Sequence, residues 1–252
     1  MNDDNYGVLP DVYEWLMPDA KLTPRGAVAA VEDLVQALPV NTRVLDCACG
    51  IGQLAVGLAD LGMNVVAADA SPGMIRRTRE LAAEHGVSMQ TLHARWDELP
   101  DHLDASSFDL IFCVGNSLGH AEGASGRSAA LAAMARLLKP GGRLVLTSRD
   151  WEHVRANGSR FDIRDRLIRR NGRDALLMYR WEIEQQWEQE HHLEITVAQL
   201  EPGLTVRSRS ERLSIWPFRY EELVEQLHSV DLKVEATTPT ANFDGYTLVA
   251  GK

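Results

Sequence analysis

The chain has 252 residues, of which 45% are hydrophobic and 25% are charged, and this composition excludes a disordered or fibrous protein. Its formal net charge is -10, so its mean field repels polyanions and we expect no nucleic-acid partner. The sequence contains no apolar run of 18 residues and begins with acidic residues, so we expect no membrane attachment and a cytoplasmic location.

The first predicted elements form a parallel crossover unit. Residues 23–38 begin with Thr23 as a helix N-cap and Pro24 at the first helical position, and they predict one amphipathic helix. The segment "RVLDCA" then predicts a strand, "GQLAVGLADLG" a helix that ends at Gly62, and "NVVAAD" a second strand.

The same alternation of strands and helices continues to residue 150. Ser71 predicts the N-cap of the next helix and Gly86 its end, and "FDLIFCVGNS" and "RLVLTSRD" are further buried strands. Five strand-helix units predict an α/β fold with a doubly wound, mostly parallel, Rossmann-like sheet.

The pattern of apolar and polar residues changes after residue 154. Residues 155–216 alternate apolar and polar side chains between turn signals, which predicts an inserted antiparallel sheet that covers the ligand edge. We expect Trp181, Trp187 and Trp216 to belong to its core, with direct ligand stacking as the alternative. Residues 217–252 predict a helix and a hairpin that complete a core formed by residues 1–154.

The glycine loop "DCACGIG" indicates the class of ligand. Gly50 and Gly52 allow a tight turn into a helix whose free N–H groups favour polar ligands. A dinucleotide fingerprint needs a third glycine that is absent here, and Asp46 would repel a pyrophosphate but tolerate a sulfonium cation. Asp69, at the end of the next strand, is placed to bind ribose hydroxyls, so S-adenosylmethionine is the predicted cofactor.

Four segments in a fixed order, "VLDCACGIG", "VVAADAS", "FDLIFCVGNS" and "LLKPGGRLVLTSRD", resemble the class I S-adenosylmethionine-dependent methyltransferases over about residues 40–150. Within that class, "VGNSLGH" and "SRDW" resemble the glycine and sarcosine N-methyltransferases. The resemblance implies methyl transfer to a small molecule, with S-adenosylhomocysteine as product. It leaves the oligomeric state open, with a homo-oligomer as one alternative.

The resemblance also implies roles for individual residues. Arg149 would hold the acceptor's carboxylate and Arg25 the methionine carboxylate of the cofactor, and Tyr6 and Trp15 would be aromatic residues of an N-terminal lid. The residues expected at the acceptor are Asn116, His120, Arg149 and Tyr6. The residues expected at the cofactor are Tyr13, Trp15, Arg25, Asp46, Ala48, Gly50, Gln53, Asp69, Ala70, Met74, Arg95, Trp96, Val114, Gly115 and Ser117.

Plainer interpretations of these residues stay open at this point. Arg149 is also compatible with a surface ion pair, His120 with a structural hydrogen bond, and Trp96 with simple packing. The odd number of cysteines, Cys47, Cys49 and Cys113, predicts packing in a reduced protein, and we expect no metal.

N-methylation of an amino acid, amine or heterocycle is the leading hypothesis for the reaction. The alternative within the same class is O-methylation, for which His120 would be the base because a hydroxyl must lose its proton. Two further alternatives are a nicotinamide oxidoreductase, suggested by the glycine loop and Asp69, and a non-catalytic S-adenosylmethionine sensor.

Overall fold

The computed structural model describes residues 7–164, 166–201, 203, 205–239 and 245–252. Its helices in chain order are α1 (Leu9–Leu16), α2 (Pro24–Ala29), α3 (Glu32–Val35), α4 (Gln53–Asp60), α5 (Pro72–His85), α6 (Leu99–His102), α7 (Gly123–Leu137), α8 (Trp151–Ala156) and α9 (Tyr220–His228). Its strands are β1 (Arg43–Asp46), β2 (Asn64–Asp69), β3 (Gln90–His93), β4 (Phe108–Cys113), β5 (Leu138–Arg149), β6 (Arg160–Ile163), β7 (Ile168–Arg170), β8 (Arg173–Glu182), β9 (His191–Glu201), β10 (Thr205–Ile215), β11 (Lys233–Pro239) and β12 (Gly245–Gly251).

The larger sheet has the strand order β11-β12-β5-β4-β1-β2-β3. Strands β1 to β5 pair in parallel, whereas β12 is antiparallel to both β5 and β11. The predicted doubly wound, mostly parallel sheet and its closing hairpin are therefore confirmed. The chain order reverses between β1 and β4, and in such folds ligands bind at the carboxyl ends of the strands beside this point.

Helices cover both faces of this sheet because its strands are apolar on both sides. Along β1, Val44 belongs to one buried cluster and Leu45 to the other, and along β2 the same is true of Val65 and Val66. Successive side chains of a strand point to opposite faces, so two separate cores require near-continuous apolar strands.

The N-terminal helix prediction was wrong in its extent. Residues 23–38 form two short helices, α2 and α3, because the chain leaves the helical conformation at Val31, whose φ is -129°. Helix α2 packs so closely on α4 that a Cβ at Gly57 would meet the Pro24 carbonyl. The predicted N-cap is confirmed, since the Thr23 hydroxyl accepts a hydrogen bond from the Gly26 N–H at 3.1 Å.

The second sheet, formed by β6 to β10 and called here the inserted sheet, is antiparallel, as predicted. It lies at the carboxyl edge of the larger sheet, where the Trp216 N–H donates to the Gly119 carbonyl at 2.8 Å. Trp181 is buried in its core, and Trp187 is partly buried between the guanidinium groups of Arg155 and Arg219. Among the described helices, none is both long and apolar enough to span a membrane.

Candidate functional site

The glycine loop, residues 47–52, makes a sharp turn between β1 and α4. Gly50 and Gly52 both have left-handed backbones, with φ of 55° and 88°. A Cβ at Gly52 would stand 2.8 Å from a methyl carbon of Thr78, so no larger residue fits this position without displacing α5. The Cys49 N–H donates to the Ala68 carbonyl at 3.0 Å, which ties the loop to β2.

Two carboxylates, Asp46 and Asp69, flank this loop and are called here the acidic pair. Asp69 accepts hydrogen bonds from the N–H groups of Gly50 and Ser71, each at 2.9 Å. Asp46 is only 1% exposed and accepts from the Ala48 backbone, but its Oδ1 has no hydrogen-bond partner among the described residues. A buried carboxylate oxygen without a donor is costly, so this atom is a strong candidate for a ligand contact.

The electrostatics of the acidic pair favour a cationic ligand. Burial raises the pKa of Asp46 to about 7, and the charge of Asp69 contributes in the same direction. Burial also raises the pKa of Asp69 to about 6, against the opposing effect of its two backbone hydrogen bonds. A positive group beside the pair would stabilise its ionised form, whereas a pyrophosphate would be repelled. The residues present therefore fit S-adenosylmethionine better than a dinucleotide.

Helix α1 lies over the glycine loop. A Cβ at Gly50 would stand 3.5 Å from the Tyr13 ring, and one at Gly115 would stand 3.9 Å from the Tyr13 hydroxyl. Burial, followed by the charges of the acidic pair, raises the pKa of Tyr13 to about 12. Trp15, on the same helix, is buried in the core, and Tyr6 lies outside the described residues.

Trp96 is fixed beside the same loop. Its indole Nε1–H donates to the Cys47 carbonyl at 2.8 Å, while the ring packs against the core and remains partly exposed. The neighbouring Arg95 is exposed and lies 3.5 Å from Asp97. At the end of β2, Ala70 is exposed and Met74 is buried in the first turn of α5.

Two of the residues expected at the cofactor have side chains directed elsewhere or into solvent. Gln53 lines a small crevice with Arg77 and Glu80 of α5, and its Oε1 is buried without a partner among the described residues. Arg25 is exposed in the first turn of α2 and forms no ion pair within the described part of the chain. For these two residues a cofactor contact stays a prediction.

The loop after β4 forms the other wall of the site. Val114 accepts a hydrogen bond from the Ser117 hydroxyl at 2.8 Å, and Asn116 adopts a left-handed backbone with φ of 66°. The hydroxyl of Thr147 accepts from the Gly115 N–H at 2.7 Å. Thr147 lies two residues before Arg149 on β5, so the alternation of side chains along a strand places both on the same face of the sheet. This alternation is the sequence signal that could have indicated that Thr147 binds the loop after β4.

His120 and Arg149 come together at the carboxyl ends of β4 and β5. The Nδ1 of His120 donates to the Ser214 carbonyl of the inserted sheet at 2.9 Å. Burial lowers the pKa of His120, and the positive charge of Arg149 lowers it further. The Arg149 guanidinium lies 5.2 Å from the centre of the Trp181 ring. No pattern in the sequence indicated Ser214, which reaches this site from a distant segment, whereas Trp181 was expected in the core of the inserted sheet with ligand stacking as the alternative.

The three cysteines are buried with free thiols, as their predicted packing role requires. Burial raises the pKa of the Cys47 thiol well above its ordinary value, and the adjacent Cys113 contributes to this rise. The Cys47 thiol is therefore protonated at neutral pH and behaves as a core side chain. Among the described residues, no cluster of side chains could hold a metal ion.

Comparison with known proteins agrees with this geometry. A family model described as a methyltransferase domain matches residues 44–142, which contain the glycine loop, the acidic pair and the β4 loop. Over this segment the chain is similar to methyltransferase domains.

The relatives of this segment include methyltransferases with more than one class of acceptor. A glycine/sarcosine N-methyltransferase from Aphanothece halophytica is 31% identical over 116 residues, which are 46% of this chain and 43% of that protein. A ubiquinone biosynthesis O-methyltransferase from Xanthomonas axonopodis pv. citri (strain 306) is 36% identical over 110 residues, 44% of each chain. The similarity thus spans less than half the length of either relative.

The whole fold has a solved counterpart. An S-adenosylmethionine-dependent methyltransferase from Clostridium acetobutylicum ATCC 824 superposes with a TM-score of 0.75 over 98% of both chains, at 16% identity. The chain therefore has the Rossmann-like fold of S-adenosylmethionine-dependent methyltransferases, including the additional antiparallel sheet.

Proposed function

We propose that the protein is an S-adenosylmethionine-dependent methyltransferase that methylates a nitrogen atom of a small molecule. The observation that carries the proposal is the acidic pair beside the glycine loop, with the Oδ1 of Asp46 buried and lacking a donor. A ligand with cationic groups and hydroxyls satisfies these carboxylates, and S-adenosylmethionine has both. The match of residues 44–142 to a methyltransferase domain supports the same assignment.

When bound, S-adenosylmethionine supplies a methyl group already activated by its sulfonium, so the protein's main task is positioning. The backbone N–H groups of the glycine loop and the acidic pair would hold the amino-acid and ribose portions. Tyr13 would exclude water from above the loop, and Trp96 offers a flat surface held by its bond to Cys47. Each of these residues already lies at the carboxyl edge of the sheet.

The acceptor would bind where His120 and Arg149 approach each other. An amine must present its lone pair, and the neighbouring positive charge of Arg149 favours the neutral form of the amine. The same guanidinium can bind an anionic group of the acceptor through two parallel hydrogen bonds. The 31% identity to a glycine/sarcosine N-methyltransferase supports an amine acceptor.

O-methylation is the second candidate, and a specific observation favours it. With Nδ1–H donated to the Ser214 carbonyl, a neutral His120 has its lone pair on Nε2. Burial lowers its pKa, which keeps the ring neutral and able to take a proton from a hydroxyl at neutral pH. The similarity to an O-methyltransferase of ubiquinone biosynthesis also supports this candidate.

The cofactor assignment is tested by calorimetric titration of the purified protein with S-adenosylmethionine, S-adenosylhomocysteine and NADH. We expect both adenosyl ligands to bind and NADH to give no heat of binding. The variant Asp46→Asn should weaken S-adenosylmethionine binding at least tenfold, whereas Asp60→Asn, at the exposed end of α4, should bind as wild type. Tight NADH binding would instead support an oxidoreductase.

The acceptor class is tested with a panel of small amino acids, amines, heterocycles and phenols, with S-adenosylhomocysteine detected by mass spectrometry. For an amine acceptor, His120→Ala should retain most of the turnover, and for a hydroxyl acceptor it should abolish turnover. The matched control is His85→Ala, because His85 is exposed at the end of α5. No turnover across the whole panel, with cofactor binding intact, would favour a non-catalytic sensor.

A further inference from the structure

We propose that a second ligand site, separate from the acidic pair, binds a phosphate-bearing small molecule between α1 and one end of the inserted sheet. A cavity of about 330 Å³ lies there and is called here the arginine cleft. Its charged lining residues are Arg170, Arg173, Arg207, Arg209, Asp11 and Glu14. Four guanidinium groups thus line this cleft in a chain whose net charge is -10.

The strand register brings these arginines together at a cost to folding. Arg170 and Arg173 are directly opposed across the β7–β8 hairpin, where like charges destabilise a strand pair. Arg207 and Arg209 are two residues apart on β10, so both point to the same face of the sheet. Neither arrangement of like charges helps the sheet to form, so strand pairing does not explain why these arginines are clustered.

The four arginines differ in how firmly they are engaged. The side chain of Arg170 is 10% exposed; it meets Asp19 at 2.7 Å and donates to the Met17 carbonyl after α1, so it forms the fixed floor of the cleft. The side chain of Arg207 is 59% exposed and lies 3.3 Å from Glu201. Such exposed ion pairs contribute little, so this guanidinium can exchange its partner for a ligand at small cost.

Arg173 is the clearest ligand donor in the cleft. It is exposed and has no ion-pair partner within the described residues. Arg209 is engaged more loosely than Arg170, at 3.4 Å from Asp11. The cleft therefore combines one fixed guanidinium with three that have donor N–H groups accessible to a bound anion.

The shape and surroundings of the cleft select the class of ligand. Guanidinium groups match phosphate oxygens through paired hydrogen bonds, and the volume lies in the range typical of small-molecule sites. The amides of Asn171 and Gln199 also line the cleft and can bind uncharged polar parts of a ligand. The carboxylates of Asp11 and Glu14 border it, so a long polyanion would meet repulsion beyond a few phosphate groups.

The arginine cleft is remote from the proposed methyl acceptor. Ser214, whose carbonyl bonds to His120, lies five positions after Arg209 on β10, which is roughly 17 Å along an extended strand. The cleft is therefore a separate site, although it shares α1 with the cover of the glycine loop. Asp11 and Glu14 border the cleft from the same helix that carries Tyr13.

The test is calorimetric titration of the full chain with pyrophosphate at low ionic strength, with citrate as a carboxylate anion of comparable charge. We expect pyrophosphate to bind, the double variant Arg173→Gln/Arg207→Gln to bind at least tenfold more weakly, and citrate to bind markedly less well than pyrophosphate. The matched control is Arg180→Gln, which removes an exposed arginine from the far end of β8 and should change the affinity less than twofold.

Three results would overturn the proposal: no pyrophosphate binding by wild type, equal binding by the double variant, or equal binding of citrate. Titration of each variant with S-adenosylhomocysteine keeps this test independent of the proposed function. A double variant that binds S-adenosylhomocysteine normally has folded, so its loss of pyrophosphate affinity is local to the cleft. A protein that binds pyrophosphate but not S-adenosylhomocysteine would contradict the proposed function and leave the arginine cleft supported.

Discussion

Replacing Asp46 with asparagine should stabilise the ligand-free protein at alkaline pH. Burial raises the pKa of Asp46 from its ordinary value of 3.8 to about 7 in the folded protein. Because the folded-state pKa is raised, the protonated carboxyl favours folding, and this contribution is fully present below about pH 3.8 and is lost as pH rises through about 7. At about 1.4 kcal/mol per pH unit, the full change is roughly 4 kcal/mol.

Asparagine is close in shape to the protonated carboxyl and does not ionise. Between pH 5 and pH 8, the free energy of unfolding of Asp46→Asn should therefore rise relative to that of wild type by roughly 3 kcal/mol. For a chain of this size, that difference corresponds to roughly 6–12 °C in the midpoint of thermal unfolding. The stabilised variant should also be the one that binds S-adenosylmethionine poorly.

The assay is urea unfolding followed by tryptophan fluorescence at pH 5, 6.5 and 8, for wild type, Asp46→Asn and the exposed control Asp60→Asn. The control should differ from wild type by a nearly constant amount across the three pH values. If Asp46→Asn also differs from wild type by the same amount within about 0.5 kcal/mol at pH 5 and pH 8, Asp46 is not perturbed and the electrostatic argument fails.

Three further predictions concern the same loop. Gly52→Ala should lower the free energy of unfolding, measured with urea, by about 3 kcal/mol or more, because Gly52 combines a positive φ with a close contact to Thr78. The control Gly86→Ala should lower it by about 1 kcal/mol, because Gly86 has a similar φ but open space around it. Trp96→Phe should lower the free energy of unfolding by about 1–2 kcal/mol and weaken cofactor binding several-fold, because it leaves the Cys47 carbonyl without its donor. A variant with wild-type cofactor affinity would contradict a contact between Trp96 and the cofactor. The affinity for S-adenosylmethionine should increase about tenfold from pH 6 to pH 8 as the acidic pair ionises. Calorimetry in buffers of different ionisation enthalpy should detect the protons released on binding. An affinity that does not change with pH would contradict this linkage.

The local parts of the site were predictable because each depends on neighbouring residues. The turn at Gly50 and Gly52 follows from their spacing after an apolar strand, and the strand ends at Asp46 and Asp69 follow from the alternation of strands and helices. The break at Val31 was missed because helical periodicity continues through it, while the packing of α2 on α4 determines where the helix ends.

The distant contacts were not predictable, because they join segments whose relative placement depends on the whole fold. The bond from His120 to Ser214 spans 94 residues, and the bond from Trp96 to Cys47 spans 49. The sequence indicated the type of each residue but gave no means of pairing them. The arginine cleft was missed for the same reason, since its members come from α1, the β7–β8 hairpin and β10.

The acidic pair explains why the same atoms weaken the fold and support binding. Asp46 is held beside Asp69 by β1 and β2, whose parallel register pairs Asp46 with Ala67 and leaves both carboxyl groups at the same sheet edge. In the ligand-free protein burial raises both pKa values, and the charge of Asp69 adds to the rise at Asp46, so the site is partly protonated near neutral pH. A cationic ligand reverses this effect, because its charge stabilises the ionised carboxylates. The free-energy cost of burying these ionised carboxylates in the folded chain therefore becomes selectivity for a positively charged cofactor over a dinucleotide.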